Sequence, residues 1–213
     1  MRKKLLFPLL FVVLLVVPLR LARADLAEVA AWSLLGGAAR TLEVHDRKEQ
    51  YDSILPVFKL EADYQRLLQD VHGVHGLAEL GIAFLGGDVE FTRYFESNPS
   101  QGFDIFSVHF LYRLALIKEA QLNIAVGYKK FWGDVQNDSL DIGFPLYLFP
   151  GKKWTIEARP FFSFINQDNP IVYDLQGGLR YKHKYVGVRG GYRFVHVANH
   201  EWHGPQIGLF FEW

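Results

Sequence analysis

From residue 53 to the carboxyl terminus the chain alternates apolar and polar residues with a period of two, in one segment after another. That period puts successive side chains on opposite faces of a β-strand, so each run is a strand with one apolar face. The last run is the clearest. Ile207, Leu209, Phe211 and Trp213 fall on one side, and Gln206, Gly208, Phe210 and Glu212 on the other. A chain of 213 residues patterned this way is held to one all-β domain.

Ten such runs can be read, at 58–65, 74–85, 89–96, 105–116, 121–129, 140–148, 154–164, 173–182, 186–194 and 206–213. Residues 89–96 are among the shortest. The connections alternate in length. Tight ones fall at 86–87, 118–119, 150–153 and 183–184, and longer ones at 66–73, 97–102, 133–137, 166–170 and 198–202. An even strand count puts both chain ends on the side of the tight turns, and a soluble sandwich has no reason to sort its loops in this way.

The amino end has a different plan. Residues 1–4 are basic, 5–17 are almost wholly apolar, and Ala22-Arg23-Ala24 is a small-residue cleavage site, as in a secretory signal peptide. The apolar run is shorter than the ~20 residues a spanning helix needs. The expected organisation is a signal peptide over 1–24, a lead-in or first strand over 25–52, and a barrel over 53–213. Within 25–52, residues 26–40 suit an amphipathic helix and 41–45 a short strand. No later segment reaches spanning-helix length without charges. A mature chain in a membrane must therefore cross as strands, because only helices and closed barrels satisfy every backbone group in lipid.

The terminal strand, with its alternating apolar residues and final aromatic, resembles the closing strand of bacterial outer-membrane β-barrels. The sorted loops agree with that architecture. The resemblance implies an antiparallel up-and-down transmembrane barrel of about ten strands, with 8 or 12 also admitted. It further implies residence in the outer membrane and lipid or lipopolysaccharide around a monomer. Ile207, Leu209, Phe211 and Trp213 would be the signal read by the insertion machinery. The rival is a soluble lipocalin-like binder whose apolar faces point inward. The direction of Leu122, Ile124 and Val126 separates the two. Tyr64, Tyr128, Trp132, Tyr147, Trp154, Tyr173, Tyr181 and Trp202 lie near strand ends, where interfacial girdles sit.

Lys and Arg balance Asp and Glu at 23 each, which disfavours a nucleic-acid partner. The absence of Cys removes disulfides and thiol chemistry. On the polar faces, Glu61, Glu79, Asp141, Glu157 and Asp174 mix with Lys129, Arg159, Arg180, Arg189 and Arg193. Both signs in a narrow interior pair up, because an unpaired buried charge is costly. The expected result is a salt-bridged plug, with a narrow pore as the alternative.

Candidate chemistry gathers in the last outer connection, at His196, Asn199, His200 and Glu201, with His203 beyond. Imidazoles at this spacing could act as bases or ligands, but no H-E-x-x-H pattern is present, so no metal and no cofactor are expected. The stretch R-F-V-H-V-A-N, residues 193–199, resembles the His-x-Ser-Asn motif of outer-membrane lipid A 3-O-deacylases. His196 and Asn199 match, Ala198 stands where that family has its nucleophilic serine, and Gln206 falls near its acid. The resemblance implies a non-catalytic relative. The expected function is a structural, adhesive or narrow-pore barrel, with a lipid A-modifying hydrolase acting through the His196 region as the alternative.

Overall fold

The computed structural model describes Gly36 and residues 57–67, 71–82, 84–96, 102–117, 119–133, 136–165, 171–197 and 200–213. The proposed signal peptide and the lead-in of 25–52 lie outside the described residues, Gly36 apart. The strands are β1 Val57–Arg66, β2 Val71–Ile82, β3 Leu85–Glu96, β4 Gly102–Ile117, β5 Ala120–Trp132, β6 Asn137–Gly143, β7 Leu146–Gly151, β8 Trp154–Ile165, β9 Ile171–His183, β10 Val186–Val197 and β11 His200–Glu212.

With β6 and β7 both lying between β5 and β8, every strand pairs antiparallel with the next along the ring, and β1 pairs with β11 to close it. β6 and β7 form a single stave. Gly143 opposite Ala125 and Leu146 opposite Leu122 keep one register across the break. The interruption comes from Pro145, which has no N–H for the ladder. Its carbonyl still accepts from the Asn123 N–H at 2.7 Å. The barrel therefore has ten staves, each long enough to cross the ~9–11 residues of a tilted spanning strand, and none is left as an open edge. Closure satisfies the backbone groups that an edge would expose.

The connections at one end are two residues long, at 83–84, 118–119, 152–153 and 184–185. At the other end they span 67–70, 97–101, 133–136 and 166–170, but only 198–199 between β10 and β11. Two expectations need correction. The tight turn expected at 86–87 lies at 83–84, so Leu85, Gly86 and Gly87 belong to β3, which is as long as β2. The expected long last loop of 198–202 is a hairpin in which His196 pairs with Glu201 and Val197 with His200. In both cases the misleading signal was local: a Gly-Gly pair in the first, and polar residues at a strand start in the second.

The faces are those of a barrel in lipid. Leu122, Ile124 and Val126 point outward, and Asn123 and Ala125 are buried within. Ile207 and Leu209 are each 67% exposed, whereas Gln206 and Phe210 on the other face are buried. Aromatic residues ring both ends of the outer face. Phe106 lies against Trp132 and Phe162 against Tyr173 at the loop end, and Phe58 against Phe211 and Trp154 against Tyr181 at the turn end. On β9 the two rings are marked by Tyr173 and Tyr181. At ~3.4 Å per residue and a tilt of ~40°, they stand about 20 Å apart, close to the ~25 Å of an apolar band. Tyr147 and Trp202, expected in these girdles, instead point inward.

Candidate functional site

The interior has two zones. At the loop end, Leu67, Val71, Tyr94, Phe103, Ile105, Phe131, Ile165, Val172, Val195 and Val197 form an apolar cluster with Trp202 packed against it. Its centre is a stack of rings. Trp202 lies 4.9 Å from Phe103 and 6.0 Å from Tyr94 between centroids, and Phe103 lies 5.9 Å from Phe131. Offset stacking over such distances is favourable for aromatic pairs. Trp202 explains why β11 begins as early as His200: its indole fills the mouth only if the strand extends that far.

Below the rings the lumen is ionic. Among the described residues it buries seven Lys or Arg side chains, eight Asp or Glu side chains, and His75 and His109. Near-equal numbers let almost every charge find a partner, which burial in a low-dielectric interior demands. One set runs through β10, β9, β5, β6 and β4. Arg193 grips Asp174 with both arms of its guanidinium, at 3.0 and 2.7 Å, and donates to the Thr92 hydroxyl at 2.9 Å. Lys129 bridges Asp174 at 3.6 Å and Asp141 at 2.9 Å. Asp141 also accepts from Ser163 at 2.7 Å and faces His109 at 2.9 Å, and the other nitrogen of His109 meets Asp88 at 2.6 Å.

A second set crosses from β10 to β1, β2, β3 and β8. Arg189 donates to Asp63 at 2.8 Å and is ion-paired with Glu157. His75 lies between Asp63 at 3.1 Å and Glu90 at 3.4 Å, and Glu90 is paired with Arg159. Arg180 reaches Glu61 at 2.7 Å, and Lys59 reaches Glu61 at 2.9 Å and Glu79 at 3.7 Å. The Arg180 guanidinium also lies 3.9 Å from the centre of the Phe210 ring, a cation–π contact.

Glycines on the inner face make room for these side chains. A side chain at Gly143 would meet the Phe161 ring, one at Gly208 would meet Asp63, and one at Gly81 would meet the Arg113 guanidinium. Gly86, paired with Gly81, leaves the same space open.

The ten residues read as lumen charges, Glu61, Glu79, Lys129, Asp141, Glu157, Arg159, Asp174, Arg180, Arg189 and Arg193, are all buried inside, with the contacts just described. The partners not singled out from the sequence are Lys59, Asp63, His75, Asp88, Glu90, His109 and Arg113. Parity could have found His75 and His109, since both share a face with polar residues. Asp88 was lost when β3 was read short. Asp88, Glu90 and His109 offer atoms close enough to ligate a cation, but each already meets an imidazole, a carboxylate or a guanidinium.

Of the predicted catalytic group, only His196 and Glu201 have described side chains, and the two are paired across the last hairpin. His196 is half-buried on the outer face, stacked on Phe194 at 6.4 Å and 3.6 Å from Glu201. Glu201 is exposed, Asn199 lies outside the described residues, and only the backbone of His200 is described. Every described serine and threonine, namely Thr92, Ser107, Ser139, Thr155 and Ser163, is on the inner face. None of these hydroxyls shares the lipid-facing side with His196.

Among solved structures, the NanC porin matches over 72% of this chain and 98% of its own, at 10% identity and a TM-score of 0.50. The fold is that of a transmembrane β-barrel. Barrels with lower scores also match. A de novo designed transmembrane β-barrel is 12% identical over 75% of this chain and 97% of its own, with a TM-score of 0.40. The Yersinia pestis outer-membrane protein Ail is 12% identical over 74% and 99%, with a TM-score of 0.41. No family model matches the sequence, and no curated protein does. The resemblance to outer-membrane β-barrels therefore holds at the level of architecture.

Proposed function

We propose that the protein is a monomeric bacterial outer-membrane barrel that neither conducts nor catalyses, and that it serves as a structural or adhesive element displaying its loop-end rim. The observation that carries this reading is the aromatic stack of Trp202, Phe103, Tyr94 and Phe131 across the mouth, closed beneath by paired charges. A conducting barrel keeps a wet path, and wide barrels of 16 or more strands do so by size. Ten staves leave room only for side chains. Residues 1–24 serve as the export signal, Ile207, Leu209, Phe211 and Trp213 as the insertion signal, and lipopolysaccharide surrounds the outer girdle. The absence of a described serine or threonine hydroxyl beside His196 turns the reading away from lipid A hydrolysis.

Planar bilayer recording tests it. The purified protein inserts without giving stepwise conductance above leak. Steady ohmic steps from the wild-type protein sink the closed-barrel reading. Amino-terminal sequencing of membrane-extracted protein is expected to begin at Asp25.

A further inference from the structure

The two buried imidazoles are bonded in a way that fixes how many protons they carry. His75 on β2 lies between Asp63 of β1, 3.1 Å from its Nδ1, and Glu90 of β3, 3.4 Å from its Nε2. His109 on β4 lies between Asp88 of β3, 2.6 Å from its Nδ1, and Asp141 of β6, 2.9 Å from its Nε2. All six side chains are buried. An ionised carboxylate only accepts, and a neutral imidazole has one donor nitrogen and one acceptor. A neutral ring would therefore turn a lone pair toward one carboxylate in each trio. An imidazolium donates to both.

The surroundings leave these rings no substitute. Gly127 stands opposite His109, and a side chain there would meet the ring. Phe161 of β8 packs on it at 4.8 Å. The other charged groups facing His109 are Glu90 of β3 and Lys129 of β5, which reaches Asp141 at 2.9 Å. Glu79 of β2, opposite Asp88, turns to Lys59 at 3.7 Å. Around His75 stand Arg159 of β8 and Arg189 and Arg193 of β10. Each of these cations has an anion of its own. Lys129 also bridges Asp174, Arg159 is paired with Glu90, Arg189 with Glu157, and Arg193 with Asp174. The trios meet on β3, where Asp88 and Glu90 are two residues apart. Through His75, β3 is tied to β1, and through His109 to β6, so each ring joins strands that are not neighbours. We infer that His75 and His109 stand in the closed barrel as imidazolium cations, so that closure takes up a proton at each ring, and withdrawing those protons in alkali unlocks β3 from β1 and β6.

In an unfolded chain a histidine gives up its proton near pH ~6.5. In mild alkali the closed barrel thus holds protons that the unfolded chain lacks, and its stability falls as pH rises. Refolding the full chain from urea into dilauroyl phosphatidylcholine vesicles, in weak buffer at pH ~8, is expected to take up about two protons per chain, read with an indicator dye. H75Q and H109Q are each expected to take up about one, because an amide binds no proton. Between pH ~7.5 and ~8.5 the folding equilibrium constant of the wild-type protein is expected to fall about a hundredfold, and that of each variant about tenfold. Wild-type protein labelled with ¹⁵N-histidine is expected to show two rings with a hydrogen on both nitrogens at the same pH. Should a variant not fold, the wild-type proton count and ring spectrum decide. Uptake near zero by the wild-type protein, or uptake unchanged in both variants, overturns the inference. So does full uptake with every ring singly protonated, which would place the protons on carboxylates instead.

Discussion

Arg189 shows how much one lumen side chain holds. Only 1% exposed, it ties Asp63 of β1 to Glu157 of β8 and donates to Gln176 of β9 at 3.3 Å, so it pins the closing seam to the opposite wall. Arg189→Leu takes the guanidinium from two buried carboxylates, leaving Asp63 to His75 alone and Glu157 to Arg180 at 3.5 Å. The expected loss is about 3–5 kcal/mol of unfolding free energy, read by urea titration in lipid vesicles. Lys130→Ala, which removes an exposed pair with Asp138 at 3.8 Å, is expected to change the same titration little. A second prediction at this scale concerns space. Gly143→Leu drives a side chain into the Phe161 ring and is expected to cost about 1–3 kcal/mol. Trimming the ring as well, in Gly143→Leu with Phe161→Leu, is expected to recover part of that loss.

At the scale of the strand, parity carries the information. Along β8, Glu157, Arg159, Phe161 and Ser163 are buried, and Ile156, Ala158, Pro160 and Phe162 lie on the other side. Ile207→Arg puts a charge on the lipid face of β11 about midway between the two aromatic rings, and the expected cost is about 2–4 kcal/mol in vesicles. A barrel with its apolar face inward would lose far more, through an unfilled and charged core, and would fail to fold. Alternation made most strands legible, and with them the inward side of the ten lumen charges assigned from sequence. It failed where a local signal overrode it. The Gly86-Gly87 pair looks like a turn, but Gly86 lies inside β3 and clears the Arg113 side chain. His200 and Glu201 look like loop because they are polar, although they sit at the rim of a strand whose next residue, Trp202, packs inward against the apolar cluster. Neither exception is visible without the neighbour across the barrel.

For the whole molecule, closure is the decisive event. β11 pairs on both sides, with β10 and with β1, and the Trp213 N–H and carbonyl bond to Phe58 at 2.9 Å. Leu209→Pro removes an N–H from the middle of this seam. The expected result is loss of the fast-migrating folded form on unheated electrophoresis, with the unfolded band left in its place. The period of two, the sorted turns and the terminal aromatic strand follow from residue order alone. That is because a pleated strand reports its two faces locally, and a turn is made by the residues within it. Which charge meets which was decided only by the tertiary structure. Asp63 and Arg189 are 126 residues apart in the chain and 2.8 Å apart in space. Phe103 and Trp202 meet on strands brought together only when the sheet curls shut. Register and closure arise from all ten staves together, and no single stretch of sequence encodes them.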